Sequence, residues 1–269
     1  MNPKIKPYNE LTLTDDFFFC KVMQNEEVCK ETIETLLHIK IKKLVYIEPQ
    51  KTIDLVYDAK GVRLDVYVED GSRVFDVEIQ TNINKELPKR TRYYQSMIDI
   101  DTLKTGELYT TLKESYVIFI CMEDPFTCGF PCYTFENMCQ EKHELCLDDK
   151  SYKVFYNISA YKKAGDIKTS ALLEYLQNGK SSSRLTEKLN QLVYEAKNNQ
   201  KWRLEYMTLE MIKTEKLHEG LEQGIKQGFA QGAREKAMET AKNLKTAHIP
   251  VQTIAECTGL SIAEVEALK

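Results

Sequence analysis

An α/β fold, with a mixed central sheet flanked by helices and a helical C-terminal extension, is predicted by three features of the 269-residue chain. The first is a hairpin over 61–80, where apolar and polar residues alternate on both sides of Asp70-Gly71. The second is Val117-Ile118-Phe119-Ile120, apolar on both faces, which suits a central strand covered on each side. The third is the helical spacing of Tyr93, Tyr94, Met97 and Ile98 between them, which completes an order of helix, three strands, helix, strand.

Residues 14–38 read as two short helices. Asp15 and Asp16 open the first, Asn25 caps the second, and Glu26 and Glu27 suit its positive N-terminal end. A strand signal follows at 44–47, before the hairpin. Further on, Tyr133-Thr134-Phe135 and Val154-Phe155-Tyr156 read as an edge extension of the sheet. A helical region begins at Leu172, and 184–218 reads as one long polar-rich helix in which Trp202 is a packing anchor. Gly220, Gly224, Gly228 and Gly232 then recur every four residues. Each costs about 1 kcal/mol relative to Ala inside a helix, so either close helix packing offsets the cost or the segment is a loose hinge. The final stretch outlines helix-turn-helix, but Glu264 and Glu266 in the last helix would repel phosphate, which favours a packing or dimerisation module. The expected division is 1–165 for the α/β domain, 166–218 for a helical extension, 219–239 for the glycine repeat and 240–269 for the terminal module.

In the hairpin, Leu64, Val66 and Val68 are expected to share a buried face with Phe75, Val77 and Ile79. Asp65 and Tyr67 then lie beside Asp76, Glu78 and Gln80 on the other face. One register sets Asp65 opposite Glu78, with Cβ atoms roughly 5 Å apart; a strict two-residue turn sets it opposite Asp76 instead. Three neighbouring acids repel one another, and a cation or cationic side chain offsets that repulsion. A solvent-facing hairpin is the plainer explanation of the same alternation.

Composition limits the partners. No apolar run approaches the roughly 20 residues of a membrane helix and the N-terminal residues lack a signal-peptide pattern, so a cytoplasmic location without membrane contact is expected. A net charge of −4 excludes a globally basic nucleic-acid binder. The local basic patch is Lys85, Lys89, Arg90 and Arg92, immediately after the acidic strand, where it is either a phosphate contact or a solvated helix face. Cys128, Cys132, Cys139 and Cys146, with His143 among them, lack compact zinc-knuckle spacing, and buried apolar thiols are the expectation.

The order Asp65, hairpin, Glu78-Ile79-Gln80 resembles the PD-(D/E)XK nuclease superfamily, and within it the recombination-promoting nuclease and transposase family, where Gln replaces the superfamily Lys. Thr14-Asp15-Asp16-Phe17-Phe18, the segment from Lys89 to Gln95, Tyr133-Thr134-Phe135 and the glycine repeat match as well. The resemblance implies a restriction-endonuclease-like core and a metal-dependent DNA endonuclease. Asp65, Glu78 and Gln80 are then catalytic, and Asp65, Glu78 and the Ile79 carbonyl ligate Mg²⁺ or Mn²⁺. Lys85, Lys89, Arg90 and Arg92 contact DNA, with Asp15, Asp76, Tyr94 and Gln95 as accessory positions. A Gln orients only by hydrogen bonds where a Lys adds charge, so Lys85 or Lys89 is expected to reach back to the site. Homo-oligomers through the glycine-repeat helix are the expected assembly. The rival reading is a nuclease-fold protein with weak or no turnover that binds DNA or protein and oligomerises.

Overall fold

A computed structural model of the chain describes residues 5–53, 61–82 and 85–268. The chain divides into two compact units, Met1–Leu204 and Glu205–Lys269.

In the first unit, the expected pair of N-terminal helices forms as α1 (Asp16–Val22) and α2 (Glu26–Leu37). Asn25 caps α2 by accepting from Val28 N–H at 3.1 Å. Six strands follow: β1 (Tyr46–Ile53), β2 (Val62–Glu69), β3 (Arg73–Gln80), β4 (Glu114–Cys121), β5 (Cys132–Phe135) and β6 (Ser151–Asn157). They make one mixed sheet in the order β1-β2-β3-β4-β6-β5. The first three strands are antiparallel, β3, β4 and β6 run parallel, and β5 closes one edge antiparallel to β6. Helix α3 (Leu87–Thr102) joins β3 to its parallel neighbour β4, as a parallel pair requires.

Four consecutive residues of β4, Val117 to Ile120, are almost wholly buried, so both faces of the sheet are covered. On one side, Leu87, Tyr94, Met97 and Ile98 of α3 pack on Tyr67, Val74, Val117 and Phe119. Phe119 lies 6.1 Å from the Tyr94 ring and stacks on Phe155 at 5.6 Å, which ties α3 to the centre of the sheet. Helices α4 (Ile167–Asn178) and α5 (Arg184–Asn198) pack with α1 and α2, and α1 meets β1 and β2.

The hairpin register follows from its turn. Asp70 Oδ1 accepts from Ser72 N–H at 3.2 Å and Arg73 N–H at 2.8 Å, while Gly71 takes φ +96°, a conformation that favours glycine. The last pair, Glu69 with Val74, therefore encloses four residues with Gly71 and Ser72 at the tip, and β2 and β3 pair Tyr67 with Asp76 and Val66 with Val77. That is the register in which Asp65 falls beside Glu78.

Three readings of the sequence differ from the structure here. The acidic face is not solvated, because α3 covers it: Tyr67, Asp76 and Glu78 are fully buried. Nor does strict alternation hold, since Leu64 joins Tyr67 and Val74 in the cluster beneath α3 rather than Val66 and Val68. The side chains change faces at Asp65, where Gln50 on β1 takes a positive φ of 56°. The expected long helix over 184–218 is also interrupted. Asn199 leaves the helical conformation and its Oδ1 accepts from Trp202 N–H, ending α5 and starting α6 (Gln200–Thr246).

The second unit contains most of α6, then α7 (Val251–Thr258) and α8 (Ile262–Ala267), around a small core of Ala241, Ile254, Leu260, Val265 and Leu268. The glycine repeat is helical throughout. Ser261 and Glu264 form a capping box at the start of α8, and Glu264 also pairs with Arg234. No described helix is long and apolar enough to cross a membrane.

Phe119→Ala removes the ring between Tyr94 and Phe155. We expect a loss of about 3–5 kcal/mol in chemical denaturation; a loss below about 1 kcal/mol would show that α3 is held elsewhere.

Candidate active site

The site lies where β2 and β3 stop pairing. The ladder runs from Glu69-Val74 to Val66-Val77 and ends there; beyond it, two acidic side chains take over the backbone donors. Asp65 N–H donates to Glu78 Oε1 at 2.7 Å, and Ile79 N–H donates to Asp65 Oδ2 at 3.2 Å. Each carboxylate thus satisfies a main-chain group of the opposite strand, which fixes both side chains in the fork between the strands. Helix α1 braces the fork from outside, since Cys20 Sγ–H donates to the Asp65 carbonyl at 3.3 Å.

A cavity of about 350 Å³ opens here, lined by Asp15, Asp16, Asp65, Ile79, Gln80, Thr81 and Arg90. Larger hollows exist elsewhere, one of about 540 Å³ between α2 and the start of α5, but none of the predicted catalytic residues lines it. Asp15 and Asp16 start α1 at the cavity wall. Asp15 accepts from Lys6 Nζ and Thr12 N–H, and Asp16 lies 3.8 Å from Arg63.

The predicted basic patch separates. Lys85, Lys89 and Arg92 are exposed, whereas Arg90 turns inward. Its Nη2–H donates to Glu78 Oε2 at 2.7 Å, Nη1–H to Gln80 Oε1 at 2.8 Å, and Nε–H to Tyr94 Oη at 2.8 Å. Its guanidinium also lies over the Tyr94 and Phe119 rings at 4.9 and 5.1 Å. The side chain that reaches back toward Gln80 is thus Arg90, and not Lys85 or Lys89 as expected from the sequence. Helical spacing carried this signal: Leu87, Arg90, Thr91 and Tyr94 share the inward stripe of α3, and Lys89 and Arg92 do not.

Of the accessory positions, Tyr94 is buried at the site, whereas Gln95 points elsewhere and donates to Asp99 Oδ1 at 2.9 Å and Ser115 Oγ at 2.7 Å. Asp76 is fully buried and outside the cavity lining; among the described residues no N–H or hydroxyl group reaches its oxygens, and its hydrogen-bond neighbour is the Glu78 carboxyl. Asp16, a helix start within the Thr14–Phe18 segment and not an expected site residue, shares the cavity wall with Asp65. Its signal was the acidic pair at the start of that helix.

Burial and mutual repulsion govern the acids. Burial pushes Asp65 up to about 6, against the pull of its Ile79 hydrogen bond, and Asp16 adds to the rise. Glu78 is pushed up to about 8, by burial first and the Asp65 charge second, with the Asp65 N–H and Arg90 opposing. Asp76 is held well above the carboxylate range by burial, then by Glu78 and Asp65. Burial by itself would lower Arg90; Glu78, Tyr94 and Asp65 together reverse this and hold it up.

A divalent cation fits this donor set. Each carboxylate oxygen has a second lone pair, and a cation in the fork relieves the repulsion that raises these acids. Among the described residues no three His, Cys, Asp or Glu side chains converge as a metal-binding group. A cation held by Asp65, Glu78 and the Ile79 carbonyl would therefore keep several waters, the coordination that Mg²⁺ favours. The cysteine segment differs from expectation in another way: Cys132, Cys139 and Cys146 are half-buried and Cys128 is exposed, so these thiols are not core residues.

A carboxyl whose pKa is higher in the folded than in the unfolded state stabilises the fold at low pH and loses that contribution as pH rises through the folded value. Metal-free protein should therefore lose stability between about pH 4 and pH 8, the window between ordinary carboxylates and Glu78. Asp76→Asn should flatten this profile and gain about 1 kcal/mol or more at pH 8 in urea melts with chelator. Parallel profiles for the two proteins would contradict the charge assignment.

No curated protein and no solved structure matches the chain. A family model does: PD-(D/E)XK nuclease family transposase matches residues 14–187, more than half of the chain. The match takes in α1, the fork between β2 and β3, all six strands and α3, and the chain belongs to the PD-(D/E)XK nuclease family transposases.

Proposed function

We propose that the protein is a metal-dependent DNA endonuclease. The observation that carries this reading is the fork: two buried carboxylates, anchored by each other's strand, with Asp65 on the wall of a cavity that Gln80 and Arg90 also line and Glu78 buried behind it. Nucleases of this superfamily generally use divalent metals, and Mg²⁺ or Mn²⁺ suits the oxygen donors here.

Asp65, Glu78 and the Ile79 carbonyl would hold such an ion, which would supply Lewis acidity toward water and a phosphoryl oxygen. The chain's own residues do the rest. The interstrand hydrogen bonds hold Asp65 and Glu78 before substrate arrives, so little reorganisation is needed on binding. Gln80 has no proton to give at neutral pH and acts by orienting its neighbours. Lys85, Lys89 and Arg92, exposed along the first turns of α3 and just before it, supply the electrostatic track for the DNA backbone. Nothing in the chain resembles strand-joining machinery, so hydrolysis is the proposed reaction and the transposase label describes descent.

The glycine-repeat helix supports self-association. A Cβ at Gly220, Gly224, Gly228 or Gly232 would meet no other atom within 4 Å, and Leu221, Ile225 and Phe229 alongside are exposed. The cost of these glycines therefore has no offset in the described chain. Rows at i, i+4 interlock at about −50°, which is the packing that a glycine row allows between two copies of this helix.

Plasmid DNA should be cleaved with Mg²⁺ or Mn²⁺ and spared with chelator, and Asp65→Ala and Glu78→Ala should each lower the rate by at least about 100-fold. Calorimetry should show Mn²⁺ binding that both substitutions abolish. Cleavage that survives both substitutions would refute the assignment, and DNA binding without cleavage would favour the interaction reading. Light scattering after gel filtration should give an oligomer that Ile225→Glu with Phe229→Glu reduces to monomer; a monomeric wild type at micromolar concentration would refute the helix pairing.

A further inference from the structure

Phosphodiester hydrolysis builds negative charge on the phosphoryl oxygens, and the position from which a superfamily lysine would meet it is held here by the uncharged Gln80. A cation reaches that position from α3 instead. Arg90 makes three hydrogen bonds, one each to Glu78, Gln80 and Tyr94. A guanidinium carries five N–H donors, so two remain. The side chain is still 30% exposed, and it lines the same cavity as Asp65 and Ile79. Its other contacts, the Tyr94 and Phe119 rings, limit its movement.

We infer that Arg90 is a catalytic residue: its two remaining N–H groups bind non-bridging oxygens of the scissile phosphate, and Gln80 is the positioning residue that aims them. The inference rests on the endonuclease reading above. In the reaction, the oxygen of water forms the new P–O bond and the P–O bond to the leaving sugar oxygen breaks. One proton passes from the attacking water to solvent, and the leaving oxygen takes up another. Arg90 stays protonated throughout, since a guanidinium does not deprotonate in proteins. A planar fork suits a phosphate with two exposed oxygens better than an ammonium does, which gives a chemical reason for a chain with Gln80 to place an arginine on the neighbouring helix.

The test compares Arg90→Met, Gln80→Lys and the double variant with wild type. Single-turnover plasmid cleavage with Mn²⁺ is read beside calorimetric Mn²⁺ affinity and thermal melting. Arg90→Met should cut the rate by at least about 100-fold without weakening Mn²⁺ binding, because it removes a like charge from Glu78. Adding Gln80→Lys to Arg90→Met should recover at least about 10-fold, since an ammonium then stands at the vacated place. Cleavage by Arg90→Met within about threefold of wild type, a loss that Gln80→Lys leaves unchanged, or a loss that tracks weakened Mn²⁺ binding would overturn the inference. Should Arg90→Met fail to fold, Arg90→Lys keeps the charge and loses the fork; an intermediate rate is expected, and a wild-type rate counts against the assignment. If wild type cleaves, Asp65→Ala does not and Arg90→Met does, this inference falls alone; if wild type cleaves nothing, the endonuclease reading falls with it.

Discussion

Three carboxylates, Asp65, Asp76 and Glu78, are buried within a few residues of one another; the Arg90 guanidinium bonds Glu78, and Arg63 acts on Asp65. Burying like charges is costly unless a counter-charge accompanies them, so the fork carries an excess of acid that the rest of the fold tolerates. Tolerance comes from geometry. The two acids nearest the cavity each replace a lost ladder hydrogen bond, so the strands separate without orphaning their main-chain groups. Asp76, deeper in the sheet, meets no main-chain donor among the described residues, only the neighbouring Glu78 carboxyl, and stands as the electrostatic cost of the arrangement.

The remainder of the first unit holds this fork in shape. Helix α1 touches the back of Asp65 through Cys20, and burial raises that thiol far above its ordinary value, which keeps it protonated beside the acids. Helix α3 closes the acidic face and delivers Arg90, while the stack of Tyr94, Phe119 and Phe155 fixes that helix on the central strands. Packing and chemistry therefore share residues here. Phe119 is a core side chain and at the same time the floor under the guanidinium.

Much of this was legible from local sequence, because period-two alternation, turn residues and helix caps act over a few positions. The hairpin, the buried central strand, the Asn25 cap and the edge strands all formed where residue patterns placed them. What escaped were the effects of contacts distant in sequence. Register depended on the Asp70 side chain, which holds the turn at Gly71 and Ser72 rather than at Asp70 and Gly71. The facing of Leu64 depended on an irregularity at Gln50 in β1, one residue from its partner Lys51. Burial of the acidic face depended on α3, and no alternation within the hairpin encodes a helix that arrives later in the chain. Arg90 was grouped with its basic neighbours by charge, although its spacing from Leu87 and Tyr94 already set it on the other side of the helix.

The central claim is that Asp65 and Glu78 hold one divalent cation in the fork, and the most direct measurement is an anomalous difference map from crystals grown with Mn²⁺. The account predicts a single strong peak touching both carboxylates and the Ile79 carbonyl. Crystals whose manganese sits elsewhere, with these side chains still bonded only to each other's strands and to Arg90, would contradict it.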